Sequence, residues 1–336
     1  MIIPVIHCFD NRYVIPAAVS FLSMLEYANK KHQYKLYVLH TDITLENQNK
    51  LTSIVSQFSN ASLEFINMDN KFSELFSNTQ QKAHYSKEMY YKLCIASLFP
   101  QYDFAIVTDV DVLYQGDISI EYEKFIYTTE YYAAGVHVDS LKGTFLETYS
   151  HIYDSDFSKE EKNILNEGVG AGYLILNLAK MRQNDIGRML IDYTVQNAHR
   201  LIQPEQDVLN LCLSPQIYHL PLSSMVCTYL YDIQLQAPEV ITPELEQALL
   251  KPIQVHFATH VKPWNKPSCT KSHLWYSYLL KTPFFYEQMY LLEENQKIQK
   301  EIWCFCGIPI LLLKTRPKAI QKIKLFGVKL TKRKSK

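Results

Sequence analysis

Residues 103–117 read DFAIVTDVDVLYQGD, and the fold turns on this stretch. Phe104, Ala105, Ile106 and Val107 form a continuous apolar run, as in a strand buried on both faces of a parallel sheet. Thr108, Asp109, Val110 and Asp111 end it, so two carboxylates stand at the carboxyl end of a core strand. In extended chain, residues i and i+2 point the same way; Asp109 and Asp111 can converge on one cation while Val110 turns to the apolar side. Open α/β sheets bind ligands in the crevice at that end of the strands. Carboxylate oxygens are the ligands that Mg²⁺ and Mn²⁺ prefer, and such ions commonly complete their shell with phosphate oxygens. An Asp-x-Asp pattern also suits a solvated turn. Here apolar residues on both sides place it inside core sequence, where unpaired carboxylates are costly and a metal satisfies them.

Working outward, strand and helix patterns alternate. Residues 2–9 read as the first core strand, ending at Asp10, and 14–29 as a helix with Val14, Ala17, Ala18, Phe21, Leu22 and Leu25 on helical spacing. Asp10 is placed to accept hydrogen bonds from a base or ribose. No Gly-rich phosphate loop follows, which excludes a dinucleotide fingerprint and a P-loop. Residues 34–40 and 61–67 are expected strands around a helix over 44–58, and the short connections imply parallel strands. A helix over 86–99 carries Lys92, either a surface lysine or a cation near a diphosphate. After the acidic pair, a strand over 131–138 ends at Asp139, and residues 143–166 form a polar, partly helical excursion. Residues 168–172 (GVGAG) form a turn into a buried strand over 173–178, their glycines serving a close backbone approach or a tight turn. A helix over 179–201 follows, then one opened by Pro204-Glu205-Gln206-Asp207. Short strands at 217–220 and 253–257 precede HFATHVKPW, residues 256–264, in which His256 and Lys262 flank a turn.

With 336 residues, 47% hydrophobic and 20% charged, the composition is that of a globular protein of one large domain with additions, or of two. The 24 tyrosines suit sugar or nucleoside surfaces, or reflect coding bias. Net charge is zero but unevenly placed: residues 314–336 carry ten Lys or Arg and no acid, leaving 24 basic against 34 acidic side chains in the rest. An acidic body excludes nucleic-acid binding and makes the tail a separate electrostatic object. Seven scattered cysteines without C-x-x-C spacing argue for a reducing compartment. The N-terminal apolar stretch lacks a basic flank and is too short for a signal peptide, so the cytoplasm is expected. The 12-residue apolar run 302–313 is too short to span a bilayer. Residues 318–330 (KAIQKIKLFGVKL) alternate basic and apolar positions, and FGVKL weakly echoes CGIPI at 306–310. Such a tail suits peripheral attachment to an anionic membrane surface.

These segments together resemble glycosyltransferase family 8, which includes bacterial lipooligosaccharide galactosyl- and glucosyltransferases and glycogenin. The resemblance spans roughly residues 2–290 and rests on FDNRYVIPAAVS, YYKL at 90–93, TDVDVLY, AGYLILNLAKMRQNDI at 171–186, EQDVLN at 205–210 and HFATHVKPW. It implies an α/β, Rossmann-like GT-A fold with a mostly parallel central sheet over 1–290, to which the composition adds a helical, basic, membrane-associating tail over 291–336. It also implies a retaining transfer of galactose or glucose from a UDP-sugar and Mn²⁺ as cofactor, with Mg²⁺ as the alternative. Asp109, Asp111 and His256 would hold the metal. Lys262 would contact the donor diphosphate, Asp10 would sit by the nucleoside, and Lys92 and Gly172 would lie by the donor. Asp139 and Glu205 would hold the donor sugar's hydroxyls, and Gln206 would lie beneath the anomeric carbon. The acceptor would be an oligosaccharide or lipid-linked glycan on the cytoplasmic face of the inner membrane. Gly170, Arg12 and Thr259 stand where relatives carry Asn, Asn and Gly, and Glu205 where Asp is usual. Alternatives are a catalytically silent nucleotide-sugar- or glycan-binding relative and a transferase acting on protein. A metal-dependent phosphohydrolase also uses Asp-x-Asp, but its reactive aspartate should follow an N-terminal strand.

Overall fold

The apolar segments at 2–9, 34–40, 61–67 and 104–107 form β1 (Ile2–Cys8), β2 (Gln33–His40), β3 (Ala61–Asn67) and β4 (Phe104–Thr108), with β2 and β4 parallel to β1 and β3 parallel to β2. This computed structural model describes residues 1–68, 87–137 and 156–296, and the backbone of 299–305, 308–316, 319–325 and 328–332. They fall into two compact units, Met1–Thr282 and Pro283–Lys336.

In the first unit, β5 (Val112–Tyr114), β6 (Ala133–His137), β7 (Val169–Asn177), β8 (Ile217–Leu220), β9 (Val226–Cys227) and β10 (Gln254–His256) follow. A seven-stranded sheet has the order β3-β2-β1-β4-β7-β6-β8, and β7 alone runs against its neighbours. The mostly parallel α/β sheet is as the sequence implied. A three-stranded sheet, β5-β10-β9, lies beyond β4 in the chain and sets His256 opposite Val112. That pairing positions the site.

Several local expectations change. The glycine-containing stretch 169–172 is part of β7, whose nine residues are all buried, and not a turn. The expected helix over 86–99 is a 3-10 segment, Lys87–Cys94, followed by one helical turn, Ile95–Leu98. Tyr90, Tyr91, Lys92, Leu93 and Cys94 are all buried there, so packing on every side overrides a one-faced helix. The expected helix over 179–201 is two, Leu178–Gln183 and Ile186–Asn197, broken at Asp185 in the left-handed region (φ 51°), which Asp tolerates better than most residues. The end of the strand expected over 131–138, Asp139, and much of the excursion lie outside the described residues.

The tail departs furthest. Helix Phe285–Gln296 gives way to an antiparallel sheet of β11 (Gln299–Phe305), β12 (Ile308–Arg316), β13 (Ala319–Leu325) and β14 (Val328–Lys332), in that order. Beyond 296 a helical tail is therefore corrected to a β-sheet, and alternation of basic and apolar residues is the period of a strand. The register sets Lys314 opposite Lys322 and Lys324 opposite Lys329.

One anchor holds the end of the excursion. Arg200 donates to Glu161 Oε1 (2.7 Å), the Tyr193 hydroxyl (2.6 Å) and the Asp156 carbonyl (3.1 Å), and lies 4.7 Å from the Phe157 ring. It ties helix Lys159–Asn166, opened by a Ser158/Glu161 capping box, to helix Ile186–Asn197. The Arg200 hydrogen bond lowers the Glu161 pKa from 4.5 to about 2. Arg200→Ala is expected to cost about 1–3 kcal/mol in urea unfolding at neutral pH. Glu161's contribution is fully present above its unfolded pKa, so the gap between variant and wild type should narrow as pH falls from 4.5 to about 2.

Candidate functional site

Asp109 follows β4 directly, and its backbone N–H donates to the Gly172 carbonyl at 3.0 Å, extending the β4–β7 ladder by one residue. Asp111 precedes β5, and the Phe257 N–H donates to its carbonyl at 2.9 Å. The strand β10 thereby carries His256 to the acidic pair: His256 Nε2 lies 3.2 Å from Asp111 Oδ1 and 3.8 Å from Asp109 Oδ2. One ligand atom from each of Asp109, Asp111 and His256 falls within 4.8 Å of the others. Two carboxylates and an imidazole form a donor set suited to a divalent first-row metal or Mg²⁺, and these atoms converge without rearrangement of the backbone.

Cations balance the acids. Lys262 Nζ donates to Asp111 Oδ2 (2.5 Å) and to the Phe257 carbonyl. Lys92, buried beneath the strand ends, donates to Asp109 Oδ1 (2.6 Å), the Ala171 carbonyl (3.0 Å) and Glu205 Oε1 (3.4 Å). Burial by itself would raise the Asp111 pKa, but Lys262 and His256 hold it far below the carboxylate range. Burial opposes the charge on His256, yet Asp111 pushes its pKa up to about 10. Lys92 likewise stays charged: burial works against it, and Asp109 and Glu205 outweigh burial. Burial raises the Glu205 pKa, with Lys92 pulling the other way.

Of the residues named from the sequence, Lys92, Asp109, Asp111, Glu205, His256 and Lys262 form one cluster. Gln206 adjoins it, its Oε1 accepting from the Ala171 N–H at 3.0 Å. Gly172 belongs to it through space as well as through its carbonyl, since a Cβ there would lie 2.5 Å from His256 Cε1. Asp10 stands apart at the end of β1. It caps its own turn, accepting from the Arg12 N–H (2.9 Å) and Arg12 Nε (2.7 Å). Tyr13, the next residue in that turn, packs edge-on against Trp264 at 5.9 Å, and Trp264 lies 5.8 Å from Lys262 Nζ.

The sequence reading missed the polar layer under the cluster. Gln254 Nε2 donates to Thr108 Oγ1 (2.9 Å) and to the Tyr114 hydroxyl (3.0 Å), and Thr108 donates to the Gly172 carbonyl (3.1 Å). All three side chains are fully buried. It also missed Asn210, whose amide bonds both backbone groups of Val169. Short-range patterns carry no signal for such partners, although a glycine inside a strand, as at 172, marks a close approach.

The family model described as Glycosyl transferase family 8 matches residues 4–268. The chain belongs to this family. Glycosyl transfer is thus its class of reaction. General stress protein A of Bacillus subtilis is 25% identical over 272 residues, covering 79% of this chain and 88% of its own. Among solved structures, the bifunctional glycosyltransferase WbbM superposes with a TM-score of 0.68 at 20% identity, over 86% of this family 8 chain and 51% of WbbM. The galactosyltransferase LgtC, solved with donor and acceptor sugar analogues, gives 0.63 at 16% identity, over 84% and 96%. The two structures establish the fold as GT-A.

Gly172→Ala tests the crowding at His256. It should lower divalent-metal affinity at least tenfold, read by titration with Mn²⁺ under electron paramagnetic resonance, while costing only about 1–3 kcal/mol of stability.

Proposed function

We propose that the chain is a retaining, Mn²⁺-dependent transferase that moves galactose or glucose from a UDP-sugar to a surface glycan such as lipooligosaccharide or capsule. The observation that carries this reading is the convergence of Asp109, Asp111 and His256 with Lys262 already on Asp111. In it, Asp109, Asp111 and His256 hold the metal, with Mg²⁺ as a substitute. When bound, a divalent ion supplies positive charge where the departing UDP becomes negative.

The chain's own groups do the rest. Lys262 serves the diphosphate as a point charge. Lys92 is enclosed by two acids and a carbonyl, so it acts from below, holding Asp109 and Glu205 in place. Glu205 and Asp139 hold hydroxyls of the donor sugar. Gln206 lies under the anomeric carbon. An amide is a weak nucleophile, and Gln206 Oε1 is already engaged by the Ala171 N–H, so attack from the leaving-group face is favoured over a covalent intermediate. Asp10 serves the nucleoside once Arg12 releases it.

The tail, residues 291–336, attaches the protein peripherally to anionic lipid on the cytoplasmic face of the inner membrane. No helix among the described residues is long and apolar enough to cross a membrane. Ten Lys or Arg and no acid over residues 314–336 suit attraction to an anionic surface.

Two measurements test these assignments. Slow, Mn²⁺-dependent UDP release from UDP-galactose or UDP-glucose, abolished by EDTA, is expected of the wild type. Asp109→Ala should lower that release by at least about 10²-fold with the fold intact by circular dichroism. UDP binding without release from any donor would instead favour the silent, binding relative. Lys322→Glu/Lys324→Glu in the full chain should weaken co-sedimentation with phosphatidylglycerol vesicles and leave phosphatidylcholine unaffected; unchanged sedimentation removes the membrane role.

A further inference from the structure

Helix Pro204–Leu213 meets β7 where the β6–β7 ladder changes register, between Gly135 and His137. The contact is made by side-chain amides. Ala171 N–H donates to Gln206 Oε1 at 3.0 Å, Val169 N–H donates to Asn210 Oδ1 at 2.9 Å, and Asn210 Nδ2 donates to the Val169 carbonyl at 2.9 Å. A backbone N–H can only donate, so these partners fix which end of each amide is oxygen.

Two periodicities coincide here. Gln206 and Asn210, four apart, share one face of a helix, and Val169 and Ala171, two apart, share one side of a strand. The helix therefore presents amides to β7 as a neighbouring strand would present backbone. Asn210 is buried, with both ends of its amide satisfied. The fit requires Gly168, where a Cβ would lie 2.6 Å from Asn210 Cγ. Because Lys92 joins Ala171 to Glu205 and Asp109, the height at which Asn210 seats the helix sets where Glu205 and Gln206 stand relative to the acidic pair.

We propose that Asn210 is a positioning residue for transfer: it touches no ligand but locks helix Pro204–Leu213 to β7 so that Gln206 and Glu205 face the reacting carbon. This rests on the transferase reading. It assigns Asn210, and Gly168 with it, to the turnover step and not to nucleotide binding.

The test uses the full-length chain with Mn²⁺ and whichever of UDP-galactose and UDP-glucose the wild type hydrolyses. Asn210→Ala and Gly168→Ala should each lower kcat for UDP release at least tenfold while the Kd for UDP with Mn²⁺, by calorimetry, stays within twofold. Their effects should not add in the double variant, because both break one contact. Asn210→Asp guards against a variant that simply unfolds. A carboxylate accepts from the Val169 N–H but repels the Val169 carbonyl, whereas a carboxyl both accepts and donates, so this variant should regain turnover as pH falls. Its rate is taken relative to wild type at each pH, because Glu167, His137 and His219 lie nearby and are common to both proteins. Unchanged kcat in Asn210→Ala, loss of UDP affinity in parallel with kcat, or no relative recovery of Asn210→Asp at acid pH overturns the proposal. A wild type that releases no UDP from any donor defeats the transferase reading itself.

Discussion

Three carboxylates, Asp109, Asp111 and Glu205, gathered at one end of a sheet are the constraint on which the structure depends. Asp111 and Glu205 are largely enclosed and Asp109 is partly exposed, and bare charges so close would repel. The chain meets the problem with Lys92 below, Lys262 beside and His256 across. Each acid then has a cation within reach, and the cations themselves are anchored by main-chain carbonyls of Ala171 and Phe257. This neutrality holds the site together. It also makes Asp111 a shared ligand, since Lys262 bonds one of its oxygens and His256 approaches the other.

Much of this was legible in the sequence, for identifiable reasons. Apolar residues on both sides of the acidic pair favoured a core strand delivering carboxylates to a sheet edge over a solvated turn, and β4 does that. The parallel strands β1 to β3 followed from short connections around amphipathic helices. His256 and Lys262 were found through the resemblance of HFATHVKPW to a family motif; spacing alone left the histidine as a lone residue. What remained hidden was non-local. Nothing near residue 169 announces that its backbone groups are matched by Asn210, and nothing near Thr108 points to Gln254. Periodicity failed where burial was all-round, as at 90–94, and where a strand continued through glycines, as at 169–172. The tail shows the reverse case: its two-residue alternation was visible in the letters but was assigned to a helix.

Two of the three glycines of the 168–172 stretch, Gly168 and Gly172, acquire a single explanation from the structure. Gly168 leaves room for the Asn210 amide and Gly172 for the His256 ring. Neither has a positive φ. They are small because side chains from distant segments must come close to the backbone of β7, which makes this strand the surface on which the site is assembled. Its reversed direction fits that role, for its first residues then lie beside the carboxyl ends of β4 and β6.

The site is stitched from pieces far apart in the chain. Lys262 meets Asp111 across 151 positions, and Lys92 meets Glu205 across 113. A chain emerging from the ribosome exposes its acidic pair long before it possesses the histidine and lysine that complete it. Domains fold largely as units, so β5 has no partner until β10 has been made. The cluster therefore marks synthesis through β10: a nascent chain that ends before this strand carries the acids without His256 and Lys262.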